Sequence, residues 1–135
     1  MISLCKIDGK SFDVLVTAIQ ETTEIIEGPN SGVALSKQRE IRDILGIKIG
    51  HAVTFAPDSN PEEFDALYEY LFGSIRPSVM VECVHNQTSI SYEAAYNTCS
   101  RAVGRIEKDG EEEELVGWDE MTIEFRPMEN QIDAG

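Results

Sequence analysis

One stretch of this chain repeats with a helical period: Asn60–Phe72, NPEEFDALYEYLF. Phe64, Leu67, Tyr68, Leu71 and Phe72 recur at i, i+3, i+4, i+7 and i+8, which makes a single apolar stripe. Asn60 suits the cap, Pro61 suits the first helical position, and Glu63 completes a capping box with Asn60. Glu62, Glu63 and Asp65 favour the positive end of the helix dipole. Gly73 stops the helix and Pro77 prevents a restart. A lone amphipathic helix among strands must lay its stripe on a sheet. It is a lid rather than a site.

The remainder alternates with a period of two, broken by turn residues. Ser3–Ile7 reads as a strand and Asp8-Gly9 as a hairpin turn. From Ser11 the chain runs extended, with Phe12, Val14, Val16 and Ala18 on one face and Leu15, Thr17 and Ile19 on the other. Both faces are apolar enough to predict cover on both sides. Gln20–Glu24 is polar, and Gly28-Pro29-Asn30-Ser31-Gly32 is the strongest turn signal. Residues 21–43 therefore read as a hairpin arm standing away from the body, or as a mobile loop of that length.

Leu45–Phe55 is predicted as a strand with Ile47, Ile49, His51, Val53 and Phe55 on one side, and Val79–Val84 as another. Asn86-Gln87 makes a turn into Ile90, Tyr92, Ala94 and Tyr96, which alternate, and Thr98–Ile106 continues this strand. Glu107–Glu114, EKDGEEEE, reads as a solvated loop interrupting the last hairpin. Trp118–Phe125 closes the fold, Arg126-Pro127 ends it, and residues 130–135 read as a structureless tail. The expectation is one mainly β domain over 1–129, an antiparallel β-sandwich or barrel with one flanking helix at 60–72.

Eleven basic residues against twenty-five acids give a net charge of -14. That balance argues against a binder of nucleic-acid phosphates. It serves solubility, and it also fits a surface that repels DNA or imitates it. No apolar run approaches the roughly 20 residues of a membrane helix, and MISLCKIDGK lacks the pattern of a secretion signal. Three cysteines without close spacing read as reduced thiols.

The catalytic motifs that place a nucleophile, phosphate cradle or zinc on a known scaffold do not occur in the sequence. His51 reads as a core-edge or surface residue rather than a base. Cys83 and His85 share a strand face, yet a zinc site needs two close pairs and only one loose pair is present. No enzymatic activity, cofactor or metal is expected. Tyr68, Tyr92, Tyr96 and Trp118 could line a small-molecule pocket, but their core-like parities favour packing.

The order of segments resembles small tail-associated proteins encoded by phages and prophages of Gram-positive bacteria. The resemblance rests on Cys5-Lys6-Ile7-Asp8-Gly9-Lys10, Glu27-Gly28-Pro29-Asn30-Ser31-Gly32 and Arg42-Asp43-Ile44-Leu45-Gly46. It also rests on PEEFDALYEYL at 61–71 and on Trp118 with Ile123-Glu124-Phe125-Arg126-Pro127-Met128, so it spans nearly the whole chain. It implies a tail-tube-like fold and assembly into stacked rings with itself and with other tail proteins. Strands of the arm would pair across neighbours, in the virion tail and, during assembly, in the host cytoplasm. An acidic lumen would let DNA pass without binding it. The acidic run at 107–114 departs from a plain tube subunit.

The contacts expected to serve assembly are Ile25, Ile26, Val33, Leu35 and Ile41, apolar residues in a segment too polar to be core. Folding back as a satellite cluster is the competing expectation for them. An acidic DNA mimic that occupies a nucleic-acid-binding protein is the alternative function.

Overall fold

The computed structural model describes residues 5–29, 32–34, 39–57, 61–110 and 112–133. Its elements are β1 (Cys5–Ile7), β2 (Val14–Glu27), β3 (Gly32–Ala34), β4 (Arg39–Ile41) and β5 (Ile44–Pro57), then α1 (Pro61–Phe72). β6 (Val79–His85), β7 (Thr88–Ala95), β8 (Cys99–Asp109), β9 (Glu112–Pro127) and β10 (Ile132–Asp133) follow. Eight strands form one antiparallel sheet in the order β1-β6-β7-β9-β5-β10, with β2 also on β5 and β8 also on β9. The sheet folds over without closing, so the sandwich-like alternative holds and the barrel does not.

β5 organises the sheet. Its residues 51–55 pair β2 on one edge and β9 on the other, while Ile47 and Gly46 pair β10 beyond the end of β9. β7 meets only the end of β9, through Ala94–Pro127 and Ala95–Arg126. After a break at 96–98, β8 takes up the β9 ladder from Cys99–Ile123.

The period of α1 decides the core. Phe64, Leu67 and Leu71 are its buried face, packed with Val53 and Phe55 of β5 and Met121, Ile123 and Phe125 of β9. Ile7, Val79, Val81, Cys83, Tyr92 and Ala94, from β1, β6 and β7, belong to the same cluster. Each buried Val, Leu, Ile, Phe or Met among them contributes about 1.5–3 kcal/mol by leaving water. Gly73 donates its N–H to Glu69 O, and a Cβ there would sit 2.4 Å from that carbonyl oxygen, so glycine ends the helix. The predicted cap residue Asn60 lies outside the described residues. Asp8 and Gly9 both have positive φ, 52° and 76°, the hairpin geometry that Asp-Gly supplies at low steric cost.

Several expectations are corrected. The parity of the first long strand fails at a bulge between Val16 and Ala18. Ile19 rejoins the inner face beside the core, whereas Ala18 and Leu15 are exposed. β2 is thus covered on one side only.

The arm is longer than 21–43. β2 and β5 form one ladder from Val14–Pro57 to Glu27–Ile44, so the return strand is Ile44–Gly50, and the tip carries the small β3–β4 hairpin. The acids at 107–114 do not interrupt a hairpin but belong to it. Glu107–Glu114, Lys108–Glu113 and Asp109–Glu112 are successive ladder pairs, and Gly110 turns the chain with φ 67°.

The tail is not structureless, since Ile132–Asp133 form β10. The Gln131 side chain accepts from Ile49 N at 3.0 Å and donates to Ile49 O at 2.7 Å, standing in for a strand neighbour. Gly46 admits this close passage, because a Cβ there would meet Asn130 Nδ2 and Ile132 O at 2.5 Å.

Candidate functional site

The ribbon of β2 and β5 is where the structure leaves binding capacity unused. Among the described residues β2 pairs β5 alone, so its fourteen residues offer a free edge of backbone donors and acceptors. Glu21, Glu24 and Glu27 lie along that edge strand with no basic residue among them. At the base of the tip, Gly28 N donates to Asp43 O at 2.7 Å and Arg42 pairs with Glu27 at 2.8 Å.

Directly opposed residues share a sheet face, so Ile25, Ile47 and Ile132 form one apolar row across β2, β5 and β10. The row continues the parity of Ile49, His51, Val53 and Phe55, the buried face of β5. Ile25 is 43% exposed and Ile132 53%, and Leu45, of the same parity on β5, is 48% exposed. The core face therefore runs out from under the helix into solvent. Exposed apolar patches of this kind mark interaction surfaces.

The five predicted contact residues separate. Ile25 lies in the row. Ile26 is half-buried on the opposite face, in a groove of about 410 Å³ lined by Thr22, Glu24, Lys48 and Arg126 among others. Val33 pairs Glu40 and Ile41 pairs Gly32 in the tip hairpin, and their side chains lie outside the description, as does Leu35 altogether. Ile47 and Ile132 went unmarked in the sequence, because the first looked like ordinary core and the second sat in a polar tail.

At the root of the ribbon, both histidines of the chain converge on one carboxylate. Glu21 Oε2 lies 3.0 Å from His51 Nε2 and 2.8 Å from His85 Nδ1. His51 is 1% exposed, a core residue rather than the edge or surface residue predicted. Its Nε2 also reaches Val84 O at 3.1 Å, and its Nδ1 lies 2.7 Å from Tyr92 Oη. Carboxylate and carbonyl only accept, so Nε2 carries a proton toward them, while the tyrosine hydroxyl can serve Nδ1 as either donor or acceptor. The node fastens β2 to β5, β6 and β7.

His85 and then His51 hold the Glu21 carboxyl below its ordinary 4.5. A carboxylate depressed in the folded state adds stability above its unfolded pKa, and that contribution disappears as pH falls through the folded value. Below about pH 4.5 the wild type should therefore lose thermal stability more steeply than Glu21→Gln. Unfolding midpoints measured from pH 7 to 3 check this, and parallel curves would refute it.

The remaining predicted pocket residues are engaged in packing. Arg101 is stacked between the rings of Tyr68 and Trp118, at 3.9 and 4.1 Å. Tyr96 donates to Leu71 O at 2.6 Å and meets Phe72 and Phe125 edge-on. Among the described residues no three His, Cys, Asp or Glu side chains are placed to hold a metal. No family profile matches the chain, and no curated protein or solved structure matches it either.

Proposed function

We propose that this chain is a non-enzymatic structural component of a phage or prophage tail that assembles by strand pairing through the β2–β5 ribbon. The observation that carries this reading is the coincidence of a free fourteen-residue edge with an exposed apolar row on the same ribbon. Edge pairing supplies backbone hydrogen bonds, and the row supplies apolar burial beside them. The acidic character suits a conduit for DNA, since acids repel phosphate that a basic lining would trap. Other tail proteins are partners of the same kind, met through the same edge.

Sedimentation across concentration, with negative-stain images of the same samples, tests it. Rings or tubes should form in the wild type and be lost in Ile25→Asp and Ile132→Asp, with circular dichroism unchanged. Ile26→Asp, on the opposite face, should assemble more nearly normally. A strict monomer from micromolar to millimolar concentration would overturn self-assembly.

A second reading, an acidic DNA mimic, draws on the β8–β9 hairpin. Glu107 pairs Glu114 and Asp109 pairs Glu112 in the backbone ladder, so the acidic run is carried on an extended scaffold. Competition with duplex DNA for a basic DNA-binding protein would favour this reading.

A further inference from the structure

Two thiols face each other across the edge of the sheet. Cys5 of β1 lies directly opposite Cys83 of β6, the pair being 7% and 0% exposed. The Cys83 thiol lies 3.2 Å from the Cys5 sulfur. Opposed residues in an antiparallel pair have Cα atoms about 4.5 or 5.5 Å apart, and a disulfide accepts about 4.4–6.8 Å. The backbone thus already meets the requirement, and the sulfurs alone must close up. Cys99, the third cysteine, pairs Ile123 in β8 and has no place in this couple.

We propose that Cys5 and Cys83 are an oxidative modification site, forming an intrachain disulfide that latches β1 onto β6. The oxidant is a small-molecule disulfide such as oxidised glutathione. One protein thiolate attacks a reagent sulfur and releases the first reagent thiol, and the second protein thiolate then displaces the other. Two electrons leave the cysteine pair, and their two protons end on the two released thiols.

Access requires an opening. The hydrogen bond with Cys83 and burial push the Cys5 thiol far above its ordinary range, so the closed state presents little thiolate. Among the described residues β1 (Cys5–Ile7) is the end strand of the sheet and pairs β6 alone, the kind of element that opens locally without global unfolding. Reaction should therefore be slow and follow that opening. Once formed, the bond encloses β2, β5 and α1 in a single loop and restricts the unfolded chain accordingly. The latch is independent of whether the chain assembles.

The test uses the full reduced chain, incubated with oxidised glutathione, alkylated and mapped by peptide mass spectrometry. The expected result is a linked pair of Cys5 and Cys83 peptides, with the unfolding midpoint raised by roughly 10 °C and restored by a dithiol reductant. Cys99→Ser should behave like the wild type, and Cys5→Ser should show neither link nor shift. Retention of both alkylatable thiols would overturn the proposal. So would links that run mainly through Cys99 or between chains, or an oxidised form no more stable than the reduced one.

Discussion

Phe64→Ala should lower the stability of this protein by about 3–5 kcal/mol, the range for truncating a fully buried phenylalanine. Phe64 is 0% exposed and opens the apolar stripe by which α1 seals β5 and β9. A domain of this kind holds only about 5–15 kcal/mol in total, so the loss is a large share of what exists. The surroundings are already committed. Phe55, Phe125 and Leu67 are each nearly or fully buried in the same cluster, and none can move into the vacated volume without opening another gap.

In urea the midpoint should fall steeply with little change in slope, because the same surface is still exposed on unfolding. Glu69→Ala, on the solvent face of the same helix, should stay within about 0.5 kcal/mol. A loss below about 1 kcal/mol for Phe64→Ala would mean that the helix does not cap this sheet.

What the sequence made legible was whatever its own periodicity encodes. The stripe Phe64, Leu67, Leu71 has the helical spacing, and the alternation of Ile49, His51, Val53 and Phe55 has the strand spacing. Both survive in the structure because each segment has a strongly apolar face and a definite partner. The failures share a different cause. The bulge at Val16 and Ala18 inserts one residue, and no residue type there announces it, so every parity downstream reverses.

The acidic run looked like a loop because like charges disfavour pairing. The structure nevertheless pairs them, with Gly110 providing the turn. The tail looked structureless because Gln131 acts through its side-chain amide, which leaves no periodic trace. The convergences were out of reach altogether: Glu21 meets His51 and His85 from 30 and 64 residues away, and Cys5 meets Cys83 from 78. Register fixes such meetings, and register is a property of the assembled sheet.

Replacing His51 by phenylalanine is the sharpest test of that register. The substitution keeps a flat ring in the core but removes the hydrogen-bond partner of the Tyr92 hydroxyl and the donor to Val84 O. Tyr92 is 6% exposed, and burial pushes its hydroxyl far above its ordinary range, so a lost partner cannot be replaced by ionisation. An orphaned buried polar group costs about 1–3 kcal/mol. The buried Tyr92 hydroxyl is the group left in that position, so His51→Phe should cost about 1–3 kcal/mol. Glu21 is spared the full loss because His85 still donates to it.

Tyr92→Phe in the same background should recover about 1–2 kcal/mol, since removing both partners is cheaper than removing one. The four proteins of this cycle, unfolded in urea, give the coupling directly, and strictly additive costs would show that the His51–Tyr92 bond carries no stability. Because the node ties the ribbon to β6 and β7, its loss should also reach the outer half of the ribbon. Amides of β2 from Glu21 to Glu27 should exchange faster in His51→Phe while those of α1 stay protected. Equal loss of protection in α1 would instead place His51 in the general core.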